Sequence, residues 1–160
     1  MATAFVALGS NIGDRWSHLT HAVNRLGGLS RKISGSPVYE TDPVGGPDGQ
    51  DAYLNAVVKI DTDIAPLPLL EALLAIEQER GRVRTERWGP RTLDLDLLWY
   101  DGQAIDVDSL TIPHPEIRNR PFVLAPLVDL EPSLADEEGF YVECLDATGS
   151  DGLHRVTGPL

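Results

Sequence analysis

Ala2 to Leu8 is a short apolar run that ends at Gly9, and it predicts a first strand. Gly9-Ser10-Asn11-Ile12-Gly13-Asp14 follows as a tight turn. Leu19, Ala22, Val23 and Leu26 then recur at helical spacing, so a first helix is predicted from about Asp14 to Leu26, closed by Gly27-Gly28. Leu29 to Tyr39 reads as one long second strand. The stretch 41–51 is rich in Gly, Pro and Asp and has no apolar period, which predicts a mobile connection. Tyr53 to Ile60 alternates as a third strand. Pro66 or Pro68 opens a second helix, carrying Leu69, Leu70, Leu73, Leu74 and Ile76 toward Gly81. Leu93 to Tyr100 reads as a fourth strand.

After it the pattern weakens. Residues 101–112 look like an excursion with a short strand near Leu110 to Ile112, and 113–122 are polar and broken by proline. Phe122 to Leu130 starts another short helix. Tyr141 to Ala147 fits one or two helical turns, and the last dozen residues are expected to be loosely held. The order strand, helix, strand, strand, helix, strand predicts an α+β fold. It is the ferredoxin-like βαββαβ arrangement, a four-stranded antiparallel sheet with helices packed on it and a C-terminal extension. One domain over 1–160 is expected, with its core in 2–130 and a loosely specified tail at 131–160.

Composition narrows the function classes. Apolar residues make up 42%, which suits a globular core rather than disorder. A formal charge of -12 argues against nucleic acid or an anionic membrane as main partner. Cys144 stands alone, so no intrachain disulfide can form and a reducing compartment is expected. The N-terminus lacks a signal-like segment and no run approaches membrane-spanning length, so a cytoplasmic protein is predicted. His18 and His21 lie three apart on the first helix without a third ligand in view, which favours plain surface histidines over a zinc site.

Candidate chemistry concentrates between Gly81 and Asp101. Arginines at 82, 84, 87 and 91, with Trp88 and a Gly-Pro break, precede the fourth strand. On that strand Asp94 and Asp96 share one face, while Leu93, Leu95 and Leu97 face the other way. Two adjacent carboxylates repel unless a cation or water compensates them. Magnesium accepts one or two carboxylates plus substrate phosphates, and arginine forks match phosphate oxygens. A solvated acidic face beside a basic loop is the plainer alternative; the arginines and tryptophan weigh against it.

The run Arg-Trp-Gly-Pro-Arg-Thr-Leu-Asp-Leu-Asp-Leu closely resembles the signature of the 6-hydroxymethyl-7,8-dihydropterin pyrophosphokinase family. Gly9-Ser10-Asn11 resembles the opening of the same family, and the resemblance covers roughly residues 2–130. It implies transfer of pyrophosphate from ATP to the hydroxymethyl group of the dihydropterin in folate biosynthesis, with AMP as the other product. It also implies two magnesium ions on Asp94 and Asp96; an ion-bound hydroxyl has a lowered pKa, so no dedicated base is required. Arg82 and Arg91 match phosphate ligands of the family, and Arg84 and Trp88 match a loop that closes over ATP. His114 and Arg120 match further nucleotide contacts, with Glu77 on the same side and Leu97 and Leu98 offering wall and backbone to adenine. Tyr53 and Phe122 match the two aromatics that sandwich the pterin, although each alone could be an ordinary core aromatic. Asn55 offers a donor and an acceptor to the pterin edge. Thr41 and Val44 match positions that contact the ring through backbone groups. A monomer is expected.

The chain departs from the family pattern in places. Asp42 stands where the family carries Pro, Leu74 where a polar contact can occur, and Pro115 where an aromatic is sometimes found; the loop between Arg84 and Trp88 is one residue shorter. Two rival readings fit less well. A nucleotidyltransferase keeps its Gly-Ser and Asp-x-Asp close in sequence, whereas here most of the chain separates them. An RNA-binding or sensor sheet of the same fold would carry a basic face.

Overall fold

The computed structural model describes residues 1–41, 52–81, 92–149 and 152–156. In chain order they form β1 (Ala2–Ser10), α1 (Arg15–Gly28), β2 (Lys32–Gly35), β3 (Val38–Thr41), β4 (Tyr53–Thr62), α2 (Pro66–Glu79) and β5 (Asp94–Tyr100). There follow β6 (Ile105–Val107), β7 (Leu110–Ile112), a 3-10 turn over Ile117–Asn119, and α3 (Pro121–Leu130). The chain continues through β8 (Ala135–Asp136), β9 (Gly139–Phe140), α4 (Tyr141–Thr148) and β10 (Leu153–Val156). The main sheet runs β10-β3-β4-β1-β5, with β2 also paired to β4, and each of these pairings is antiparallel.

Helix α1 begins where Asp14 accepts the backbone N–H of Ser17 at 3.1 Å, so a side chain satisfies one orphan donor of the first turn. It buries Leu19, Ala22 and Leu26 on the sheet. Helix α2 opens at Pro66, whose missing N–H costs nothing at that position, and buries Leu69, Leu73 and Ile76 beside α1's stripe. These helices close the first face of the sheet over Val6, Leu8, Ala56, Val58, Leu95 and Leu97. Each fully buried leucine contributes about 1.5–3 kcal/mol relative to an exposed one. The second face packs Phe5, Ala7, Val57 and Leu98 against Val123, Leu124 and Leu127 of α3 and Tyr141 of α4.

Two irregularities decide what the second face carries. The predicted second strand is in fact two, broken at Ser36–Pro37, and Leu29 to Arg31 lie outside it. Pro37 has no N–H for the ladder. The Ser36 hydroxyl takes over, accepting the N–H of Val57 at 2.9 Å. Register shifts by one residue across the break, from Gly35↔Val58 to Tyr39↔Asn55. A one-residue slip moves side chains to the opposite face. Val38 therefore joins the first core, whereas Tyr39 reaches Asp129 of α3 across the second face. On β5 a second shift lies opposite Phe5/Val6. There Leu98 and Trp99 both pack into the second core, and Tyr100 returns to the first.

The tail is more fixed than its sequence pattern predicts. Tyr141 is fully buried, donates its hydroxyl to Asp136 at 3.0 Å, and lies under the Arg118 guanidinium. Leu153–Val156 extends the main sheet beside β3. The expectation of loosely held last residues is thus wrong for 153–156, where the stabilising contacts come from strands far away in sequence.

Candidate functional site

The register places one transverse row across the second face: Tyr39 on β3, Asn55 on β4, Gly9 on β1 and Asp94 on β5. The next row holds Val57, Ala7 and Asp96. Asn55 and Asp94 stand two strand spacings apart, roughly 10 Å. That gap exists because β1 carries glycine there. A Cβ on Gly9 would come 3.2 Å from Asn55 Oδ1 and 3.8 Å from the Tyr53 ring, so any other residue would crowd the row.

One end of the site is neutral and hydrogen-bonding. Asn55 is buried and donates through Nδ2 to Thr41 Oγ1 at 2.7 Å. This bond fixes the amide, leaving Oδ1 as an acceptor and one N–H as a donor. Tyr53 pairs with Thr41 across the β3–β4 ladder and is half-buried. The structure thus brings Thr41, Tyr53 and Asn55 together, with Thr41 ending β3 rather than opening the 41–51 loop.

The other end is charged. Asp94 and Asp96 are half-buried on one face of β5, with Leu95 and Leu97 turned into the opposite core. Arg120, the residue before α3, brings Nη1 to 3.8 Å from Asp96 Oδ2, an ion pair too long to be a hydrogen bond. The same guanidinium lies 6.0 Å from the ring centroid of Phe122. His114 is held beside β5 by its backbone N–H, which donates to the Leu98 carbonyl at 2.8 Å. Burial lowers its pKa below the ordinary 6.5, the Arg120 charge adds to the lowering, and Glu116 and Asp94 oppose it. Its Nδ1 accepts the N–H of Glu116 at 3.1 Å, so the neutral ring carries its proton on Nε2. Asp94, Asp96, His114, Arg120 and Phe122 thus converge from β5, the segment before the 3-10 turn, and the start of α3.

Three expected contributions take a different form. Glu77 is buried at 3% exposure, and its Oε2 accepts the N–H of Leu95 at 2.8 Å. This bond secures the backbone between the two aspartates, a role no helical pattern could disclose. Leu97 and Leu98 are both buried, in opposite cores, so their side chains cannot together form one wall. What Leu98 offers is its carbonyl, and His114 occupies it. Arg82, Arg84, Trp88, Arg91 and Val44 lie outside the described residues, as does all of the 41–51 stretch except Thr41.

The donor set suits a hard divalent cation. Two carboxylates share a face, Arg120 stands near one of them as a compensating charge, and carboxylate oxygen is the ligand type that hard cations prefer. Among the described residues no cluster of three or more acidic, His or Cys side chains forms a metal cage. Magnesium needs none where substrate phosphates complete its shell.

Comparison with known proteins places the chain in a family. A profile described as 7,8-dihydro-6-hydroxymethylpterin-pyrophosphokinase (HPPK) matches residues 5–132. The chain is 44% identical over 157 residues to a 2-amino-4-hydroxy-6-hydroxymethyldihydropteridine pyrophosphokinase of Pseudomonas aeruginosa, covering 96% of each. It is 47% identical over 129 residues to the protein of that name from Bacillus subtilis, covering 79% of this chain and 77% of the relative. Among solved structures, Plasmodium falciparum HPPK-DHPS with pteroate superposes with a TM-score of 0.78 at 13% identity, over 96% of this chain. The chain spans 47% of that longer protein, and the likeness speaks for the fold alone. The chain belongs to the 7,8-dihydro-6-hydroxymethylpterin-pyrophosphokinase family.

Proposed function

We propose that the protein transfers pyrophosphate from ATP to 6-hydroxymethyl-7,8-dihydropterin, giving the pterin diphosphate and AMP in folate biosynthesis. The observation that carries this reading is the transverse row. It sets a fixed amide, Asn55, and the first of an acidic pair, Asp94, with Asp96 in the next row, on one face at the spacing of a flat ring plus its hydroxymethyl arm. The pterin lies at the neutral end, its amino-oxo edge against Asn55 and the Thr41 backbone, its faces against Tyr53 and Phe122. The triphosphate lies at the charged end. The pterin hydroxymethyl oxygen bonds to the β-phosphorus, the bond from that phosphorus to the α–β bridging oxygen breaks, and the hydroxyl proton passes to solvent.

Asp94 and Asp96 would hold magnesium, two ions by family resemblance. When bound, the metal neutralises triphosphate charge. The residues of the chain do the rest by position and charge. Arg120 and the Nε2–H of His114 donate to phosphate oxygens, and Arg82 and Arg91 add charge-assisted donors. Arg84 and Trp88 close over the nucleotide, and Glu77 keeps β5 in place. Backbone groups of Val44 complete the contacts to the pterin.

We further read the β5-β1-β4-β3 order, with α1 and α2 on one face, as a ferredoxin-like core extended by β10, and the active species as a cytoplasmic monomer. No helix of the described residues is long and apolar enough to cross a membrane. Incubation of the protein with magnesium, ATP and 6-hydroxymethyl-7,8-dihydropterin tests the reading. AMP and pterin diphosphate in equal amounts are expected; ADP in place of AMP, or no pterin-dependent turnover, overturns it.

A further inference from the structure

The row through Asn55 and Asp94 does not stop at β3. Arg155 on β10 pairs with Tyr39, so one row runs Arg155, Tyr39, Asn55, Gly9, Asp94 across the whole sheet. At its outer end three side chains from three elements meet. Arg155 Nη2 donates to the Tyr39 hydroxyl at 3.1 Å and to Asp129 Oδ2 at 2.9 Å. The Tyr39 hydroxyl itself donates to the same Asp129 oxygen. The guanidinium carbon lies 5.6 Å from the Tyr39 ring centroid. Burial and the Asp129 carboxylate both raise the Tyr39 pKa, so the phenol keeps the proton that this contact uses.

What the clamp joins matters. β3 is four residues long, and only Tyr39, Glu40 and Thr41 pair with β4. β10 supplies a second partner for each of these residues and pairs Val38 with Val156. Thr41 ends β3 and accepts the hydrogen bond that orients Asn55. Asp129 sits on α3, the helix whose first turn carries Phe122. The clamp therefore ties the strand holding Thr41, at the neutral end of the site, to the helix holding Phe122, which reaches the site beside Arg120. Contacts across a strand pair this short are easily frayed, and a charge-assisted bond to a partly buried carboxylate resists that.

We propose that Arg155 is a positioning residue for the pterin end of the site: through Tyr39 and Asp129 it fixes Thr41 and Asn55 on the sheet relative to Phe122 on α3. This rests on the reading of Thr41, Asn55 and Phe122 as pterin contacts. Arg155 is more than half exposed, so its replacement removes hydrogen bonds without opening the core.

Steady-state kinetics of the full chain test it. Arg155→Ala should raise KM for the pterin about tenfold, with KM for ATP and kcat within about twofold of the parent. Tyr39→Phe should act in the same direction and by less, since Arg155 and Asp129 still meet. A purely structural strap would lower Tm and leave both KM values alone. Unchanged pterin KM in Arg155→Ala, or an equal rise in both KM values, overturns the proposal. Should Arg155→Ala fail to fold, Tyr39→Phe is held to the same criteria. Asn55→Ala separates the two levels. If it leaves pterin KM unchanged, the pterin contacts themselves are misassigned; if it raises that KM and Arg155→Ala does not, only the positioning role falls.

Discussion

The two faces of the central sheet are made from the same strands, residue by residue in alternation, yet they do opposite things. The first is packed mainly with apolar side chains under α1 and α2, with Ser10 and Thr62 buried at its ends. The second is apolar only where α3 and α4 cover it, over Phe5, Ala7, Val57 and Leu98. Elsewhere it carries polar side chains, among them Tyr39, Thr41, Tyr53, Asn55, Asp94 and Asp96. One face thus supplies the rigidity that the other uses. Glu77 makes the dependence explicit: it projects from a first-face helix, and its carboxylate anchors the backbone between the two aspartates of the second face.

The largest effect expected from breaking this division is at the acidic pair. Asp94→Asn or Asp96→Asn keeps shape and one acceptor oxygen but removes the charge that, on the proposed function, would hold magnesium. Folding should be normal, since repulsion between neighbouring carboxylates is relieved. Turnover should fall by several orders of magnitude, because the ions stabilise charge chiefly in the transition state. Single-turnover AMP release decides it. A loss under roughly tenfold, about 1.4 kcal/mol of barrier, would return the pair to being a solvated strand face.

The same contrast explains what could be read from the chain. The shared face of Asp94 and Asp96 and the Tyr53–Asn55 facing were legible because they are local and follow the period of a strand. The two helices and their apolar stripes were legible for the same reason. The break at Ser36–Pro37 was harder: the proline marks it, but the face switch it causes depends on the Ser36 hydroxyl meeting Val57 on another strand. Leu97 and Leu98 were misread as a common wall because the shift on β5 is set by its pairing to Phe5 and Val6. The clamp of Tyr39, Asp129 and Arg155 left no local trace, since its members are about ninety and twenty-six residues apart. Weak patterning of the tail reflected contacts made at long range rather than an absence of structure.

The next effect sharpens the comparison through stability. Leu97 and Leu98 are adjacent in sequence, equally buried, and on opposite faces. Truncating either to Ala should cost about 2–5 kcal/mol, from lost transfer energy and the cavity left behind. Chemical denaturation measures it. In the folded fraction Leu97→Ala should leave KM for ATP unchanged, because its side chain faces away from the site. A raised KM for ATP without loss of stability would mean that the first face is not closed.

Smaller again are the aromatics. Tyr53→Ala and Phe122→Ala should each weaken pterin binding by about tenfold, the loss of stacking plus buried area, while ATP affinity changes little. Calorimetry with pterin alone reads it. Unchanged affinity in both variants would remove the sandwich and make these residues ordinary packing.

The smallest effect concerns two histidines on opposite sides of the sheet. His18 belongs to α1 on the first face, where burial and then Arg80 lower its pKa, Asp14 opposing; its Nδ1 accepts from Arg80 Nε at 2.8 Å. His114 lies at the charged end of the second face and is lowered by burial and then Arg120. In both cases the unfolded chain takes up its proton near 6.5 while the folded chain resists. The unfolded state then binds more protons between those two values. Stability is therefore full above 6.5, falls as pH drops from there to each depressed folded value, and levels off below it. Denaturation midpoints across that window, in the parent and in His18→Gln and His114→Gln, should show each variant removing its own share of the slope. Ligand then separates the faces. Triphosphate oxygens near Nε2 favour the charged ring, so magnesium with a non-hydrolysable ATP analogue should raise the His114 pKa and leave His18 where it was. Histidine Cε1–H resonances followed through a pH titration report both. Parallel shifts, or no shift at His114, would place it outside the nucleotide's reach and leave its backbone bond to Leu98 as its whole contribution.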